Sequence, residues 1–118
     1  MNVHSVSLKG KRPQNEDKHN IILNIEGKNE NLNKINFFSV YDGHGGKFVS
    51  KFLEKNMPNF FIDKRVKYPL RKKYIHDVFT YLQKTLREKC RPYSTHCGST
   101  CLIATQFKFN DQDFINIL

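Results

Sequence analysis

This sequence has no tryptophan, only three cysteines, and no apolar run approaching the length needed to cross a bilayer. An odd, small cysteine count argues against a secreted disulfide framework. The opening Met1-Asn2-Val3-His4-Ser5-Val6-Ser7-Leu8 is too polar and too short for a signal peptide. Together these absences point to a cytoplasmic or nuclear protein, not a secreted one, with no membrane contact. Zinc is excluded on spacing. Cys97 and Cys101 stand four apart on what reads as a strand, which puts them about 13 Å apart on one face. Cys90 and His96 lack paired spacing, so Cys101 reads as a small core residue. Acidic residues are scarce as well: eleven Asp and Glu face twenty Lys and Arg, for a formal net charge of +9.

What is present is enough for one domain. Over 118 residues, 38% are hydrophobic and ten are Phe, so a single core can be filled and a second cannot. Glycine is sparse, yet three of the six fall in Asp42-Gly43-His44-Gly45-Gly46, directly after the apolar run Ile35 to Tyr41. A strand that ends by presenting a carboxylate, followed by such a turn, is a way to offer oxygen ligands to a metal. Gly43 lets its carbonyl swing toward an ion, and Gly45 and Gly46 let backbone approach a ligand closely. An imidazole at His44 can donate a proton at neutral pH. The plain alternative is a glycine turn between a strand and a helix.

A second element lies upstream in Gly10-Lys11-Arg12-Pro13-Gln14-Asn15-Glu16-Asp17-Lys18-His19. Adjacent carboxylates at a strand start repel unless cations share them, which makes Glu16 and Asp17 a candidate divalent-ion site. Arg12, fork-shaped and always charged, can pin a phosphate above such ions. Alone, this would be a solvated polar loop.

In this order the two elements resemble the metal-dependent protein phosphatases of the type 2C family. The opening signature is similar to Arg12…Asn15-Glu16-Asp17…His19, and the hallmark to Phe37-Phe38-Ser39-Val40-Tyr41-Asp42-Gly43-His44-Gly45-Gly46. A third stretch, Cys97-Gly98-Ser99-Thr100-Cys101-Leu102-Ile103-Ala104, is similar to the Gly-Ser-Thr-Ala segment leading into a central strand.

The resemblance implies a hydrolase that removes phosphate from phosphoserine and phosphothreonine. It implies two Mg²⁺ or Mn²⁺ ions, with Asp42 bridging them and the Gly43 carbonyl on one. Glu16 would help hold the second ion, with Asp17 as a supporting carboxylate. Arg12 would bind the substrate phosphate, and His44 would protonate the departing alkoxide. The nucleophile would be a water acidified by the two cations. No cysteine is required.

The resemblance reaches only the family's amino-terminal half. The sequence stops at Asp113-Phe114-Ile115-Asn116-Ile117-Leu118, which looks like the strand before an Asn-x-Gly-Asp-Ser-Arg turn. Asp111 and Asp113 are the only downstream carboxylates and come too early to replace the missing ligands. Mg²⁺ demands near-octahedral oxygen coordination, so these 118 residues alone are expected to show little or no turnover. A complementing chain carrying the missing half is one expectation. An inactive relative that binds phosphoproteins through Arg12 and its basic helices is another, and a nonfunctional remnant a third.

The positive charge is concentrated. Between Lys47 and Arg91 thirteen Lys and Arg meet four acidic residues, whereas the rest of the chain balances seven against seven. Two helices are predicted there. Lys47 to Asn56 sets Phe48, Val49, Phe52 and Leu53 on one face, and about Leu70 to Lys89 stacks Leu70, Tyr74, Ile75, Val78, Phe79, Leu82 and Leu86. Pro58 and Pro69 punctuate the link. The lysines read mainly as solvated faces. A functional alternative is recruitment of acidic or phosphorylated partners, with nucleic acid disfavoured because Tyr68, Tyr74 and Tyr81 within the basic run read as helix packing.

Strands are predicted near 3–8, 19–25, 36–41, 99–107 and 113–118, with a turn over the Asn-rich stretch 26–33. The fold class is α+β, a partial αββα sandwich of two antiparallel sheets flanked by helices, truncated after the first half. Its cut end is expected to leave Phe107, Phe109, Phe114, Ile115, Ile117 and Leu118 without partners and to favour association.

Overall fold

The strand Ile35–Tyr41 is built of aromatic and β-branched residues that alternate: Ile35, Phe37, Ser39 and Tyr41 are buried, while Val40 is exposed. The structure, a computed structural model, describes residues 1–26, 32, 34–91 and 96–118. In chain order these form β1 (Lys18–Ile25), β2 (Ile35–Tyr41), β3 (Gly43–His44), α1 (Phe48–Asn56), α2 (Asn59–Ile62), α3 (Lys72–Lys89), β4 (Gly98–Ser99), β5 (Leu102–Phe109) and β6 (Gln112–Ile117). Of the Asn-rich stretch, positions 27–31 and 33 lie outside the described residues.

A four-stranded antiparallel sheet runs in the order β1-β2-β5-β6, and a small second sheet pairs β3 with β4. The α+β arrangement of two antiparallel sheets with helices is thus the expected one. Phe37, Tyr41 and Ile103 meet Val49 and Leu53 of α1, Phe61 of α2, and Val78, Leu82 and Leu86 of α3. Val78, Leu82 and Leu86 follow one another at i, i+4 and i+8, the spacing that stacks side chains on a single helix face. Phe37 and Phe61 rings lie 5.3 Å apart at the centre.

Several expectations are corrected. Residues 3–8 form no strand: Ser5 and Ser7 touch His19 and Asn15 through side chains, but no ladder forms and Val6 and Leu8 stay exposed. The predicted 99–107 strand is two strands, broken at Thr100 and Cys101, so Cys97 and Cys101 do not share one regular strand. In α1 the buried residues are Val49, Ser50 and Leu53, with Phe48 at the exposed margin. The face that packs runs i, i+1, i+4 and on to Met57, which leaves position 48 outside it.

The last hairpin is tighter than expected. Phe109 pairs with Gln112 across Asn110 and Asp111, both at positive φ (49° and 62°), which is a two-residue turn matched to strand twist. Consequently Phe107 is buried, Phe114 stacks on it at 5.3 Å, and Leu118 exchanges both backbone bonds with Ile103. These three find partners after all, as does Phe109, which packs against the cluster of Leu32, Val66 and Phe107. The side chains of Ile115 and Ile117 stay exposed.

The reason is that they sit on the sheet face away from the helices. There the register carries an apolar row through all four strands, Ile21 to Phe38 to Ala104 to Ile117, with Val40 and Leu102 paired beside it. Ile117 is 71% exposed and Leu102 55%. Strands apolar on both faces are the pattern of a sheet covered on both sides.

Candidate active site

Two neighbouring antiparallel segments pass from the large sheet to the small one at the same point. β2 passes through Asp42 into β3, and β4 passes through Thr100 and Cys101 into β5. There the Asp42 N–H donates to Thr100 Oγ1 (3.2 Å) and the Thr100 N–H donates to the Asp42 carbonyl (2.9 Å). The Asp42 backbone is thereby pinned on both polar groups while its side chain stays exposed. The Gly98-Ser99-Thr100 stretch therefore works as a clamp on the strand that presents the carboxylate.

β1 brings the second pair of carboxylates to this point. Lys18 pairs with Tyr41, so Asp17 and Asp42 are the next residues outward on neighbouring strands. One step further, Gly43 lies against Glu16. A Cβ at Gly43 would collide with the Glu16 carbonyl and come to 2.8 Å from Ser50 Oγ. That same Glu16 carbonyl accepts a hydrogen bond from Ser50 Oγ at 2.5 Å, and Ser50 is fully buried. Glycine at position 43 is thus a requirement of packing between β1 and α1. Asn15 shapes the approach, its Oδ1 accepting from the Asp17 N–H at 3.1 Å.

Under this edge lies a polar cross-brace. Asn20 Oδ1 accepts from Tyr41 Oη (2.8 Å) and Ser39 Oγ (3.1 Å), and Asn20 Nδ2 donates to the Glu54 carbonyl (3.1 Å). It ties β1, β2 and α1 together, and burial holds the Tyr41 phenol well above its ordinary pKa. Burial likewise pushes the Cys101 thiol from 9.0 up to about 11. The folded chain then holds that proton more tightly than the unfolded chain does. Stability is full below about pH 9 and falls as pH rises toward 11, with the tyrosines adding in the same sense. The urea midpoint is expected to drop over that range, and Cys101→Ala to flatten the drop. A midpoint with the same pH slope in both proteins would count against it.

His44 stands on β3 opposite Gly98, and a Cβ at Gly98 would strike the imidazole at Nε2 and Cε1. The ring rests on the bare glycine and lines a cavity of about 250 Å³ with Leu53, Phe79, Gln83 and Cys97 among its other walls. Gly98→Ala is expected to displace the imidazole with little loss of stability. A changed set of His44 ring resonances by NMR would show it, and unchanged ones would refute it. Gly45, at φ +70°, leaves room where a Cβ would strike the His96 carbonyl, and Gly46 follows it at φ +119°. Arg12 is exposed in the turn that its N–H closes on the Lys9 carbonyl, and no hydrogen bond or ion pair joins it to Glu16, Asp17 or Asp42.

Asp42, Asp17 and Glu16 with the Gly43 carbonyl are hard oxygen donors, the chemistry that Mg²⁺ and Mn²⁺ take. Among the described residues no group of three or more His, Cys, Asp or Glu closes around a point that could hold an ion. The donors present suit one edge of a divalent-cation site and fall short of a full shell.

The order of these residues, and the glycines and Thr100 that hold them, can be compared with known proteins. A family model described as Protein phosphatase 2C matches residues 1–110. The chain belongs to the protein phosphatase 2C family. Probable protein phosphatase CG10417 of Drosophila melanogaster is 41% identical over 58 residues, 49% of this chain and 8% of that protein. Probable protein phosphatase 2C 21 of Arabidopsis thaliana is 47% identical over 49 residues, 42% of this chain and 12% of that protein. The chain thus spans only a small part of the length of these phosphatases. Uncharacterized protein R306 of Acanthamoeba polyphaga mimivirus is 28% identical over 102 residues, 81% of this chain and 92% of that protein. No described helix is long and apolar enough to cross a membrane.

Proposed function

We propose that this 2C-family chain supplies the amino-terminal part of a protein serine/threonine phosphatase dependent on Mg²⁺ or Mn²⁺. The observation that carries the reading is the register that sets Glu16 and Asp17 beside Asp42 and Gly43, with Thr100 clamping the strand between them. Asp42, Glu16, Asp17 and the Gly43 carbonyl would hold the cations. When bound, the cations supply positive charge that acidifies water and takes up charge on the phosphoester. Arg12, exposed and free to turn, pairs with phosphate oxygens in a fork. His44 holds the proton that the serine or threonine alkoxide takes as it leaves. The substrate is a phosphoprotein.

The donor set on this chain is short for Mg²⁺, so a second polypeptide segment must bring further carboxylates. The open row Ile21, Phe38, Ala104 and Ile117 supports a second layer that packs on this sheet and carries them. The experiment is p-nitrophenyl phosphate hydrolysis with Mn²⁺, by the chain alone and with the later half of a 2C phosphatase added in trans. Silence alone and turnover on mixing is the expected result. Silence in every pairing would overturn the reading.

A further inference from the structure

The space between α1, α3 and the small sheet is not filled. A cavity of about 250 Å³ remains there, enclosed by residues of β3, α1, α3 and β4 together with the turn after β4. Leu53 and Met57 of α1 and Leu82 and Leu86 of α3 form its back, all four of them buried. Cys97 and Cys101 lie on the strand side, half-buried. At the front stand His44 and Gln83, both exposed, so the space opens to solvent beside the imidazole. Because position 98 carries no side chain, the ring lies against β4 and forms part of the wall.

The lining decides what can enter. Among the described residues no Lys, Arg, Asp or Glu borders the cavity, although 26% of the chain is charged. The leucines and methionine at the back offer water no strong hydrogen bond, whereas an apolar group gains by leaving solvent there. An apolar cavity of about 150 Å³ already admits a benzene-sized group, so this one has room for a leucine or phenylalanine side chain.

We infer that the cavity is a specificity pocket for an apolar side chain of the phosphoprotein, one or two residues from the phosphorylated serine or threonine. His44 sets the occupant. In the phosphatase reading, on which this inference rests, the departing oxygen comes within about 3 Å of the imidazole. Neighbouring residues of a peptide stand about 3.8 Å apart, so the next side chains along the substrate reach the wall that the same ring forms. Filling the pocket needs no metal.

The test follows the Leu and Met methyl signals and the His44 ring signals of the whole chain by NMR, without metal. Three probes are titrated separately: benzene, a phosphoserine peptide with leucine in the two positions on each side, and the same peptide with asparagine there. Benzene is expected to shift the methyls of Leu53, Met57, Leu82 and Leu86 together. The leucine peptide should shift the same methyls and the His44 ring, and bind about tenfold tighter than the asparagine peptide. Leu82→Phe, which fills the cavity, should remove both the benzene response and the preference. Gln83→Glu, which leaves the core alone and sets a charge at the exposed mouth, should weaken the preference at an unchanged melting temperature, so the test stands even where Leu82→Phe does not fold. Methyls that ignore benzene, equal binding of the two peptides, or a preference that survives Gln83→Glu undiminished would overturn the inference. Hydrolysis by the complemented chain reports the phosphatase reading and these metal-free responses report the pocket, so the two can fail separately.

Discussion

Asp42→Asn is expected to abolish Mn²⁺-dependent hydrolysis once the later half is supplied, by about 1,000-fold, and to leave the melting temperature almost unmoved. Both halves of that expectation come from one geometry. The Asp42 backbone is fixed through its N–H and carbonyl to Thr100, and neither bond involves the side chain. The carboxylate is exposed, so the amide that replaces it disturbs no packing. What it loses is charge. An amide oxygen is a poor bridge between divalent cations, and the remaining donors, Glu16 and Asp17, cannot make up for it. Thr100→Val should act more gently on activity, since it frees the Asp42 N–H and leaves the charge. Retained turnover in Asp42→Asn, measured by initial rates against Mn²⁺ concentration, would remove Asp42 from the site.

Gly43→Ala should do the reverse and unfold the chain before it affects any chemistry. A methyl there meets the Glu16 carbonyl and Ser50, and neither can retreat: the carbonyl belongs to the β1 approach and Ser50 is fully buried in α1. Overpacking against backbone costs about 3 kcal/mol, which lowers the melting temperature of a domain this size by about 10 °C. An unchanged melting temperature in Gly43→Ala would mean that Glu16 and Gly43 are not packed together in solution. The register that joins the carboxylates would then be wrong as well.

Much of this was readable in the amino acids, and the parts that were not have identifiable causes. The alternation of Ile35, Phe37 and Tyr41 declared a half-buried strand, and the α3 stripe declared a helix, because both periods are set by backbone geometry. The 2C-family likeness was legible because the glycine turn and its flanking acids stand in a fixed order. The clamp was not. Thr100 follows a second hydroxyl, Ser99, in the Gly-Ser-Thr stretch, and nothing local marks it as the partner of a residue 58 positions away. Ser50 reads as a break in an apolar helix face and is instead the buried donor to Glu16.

Two positive-φ sites, Asn24 in the bulge of β1 and Asn110-Asp111 in the last hairpin, carried a real but weak signal. Asn and Asp tolerate that region better than other side chains. Reading Asn110-Asp111 as a two-residue turn would have extended β5 to Phe109 and found the stacked Phe107 and Phe114. The four-residue α2 was too short for any period to show. Residues 3–8 alternate only at Val6 and Leu8, and they touch the β1 side through Ser5 and Ser7 side chains without forming a ladder, although β1 is an edge strand.

The central claim is that Glu16 and Asp17 meet Asp42 and Gly43 at one cation-attracting edge, and paramagnetic Mn²⁺ reads that edge directly even when binding is weak. In a ¹⁵N–¹H NMR titration of the chain with substoichiometric Mn²⁺, the amides of residues 16–17, 42–44 and 99–100 are expected to broaden first. Broadening that begins elsewhere, at His4 or His76 for instance, or that spreads evenly over the chain, would contradict the account.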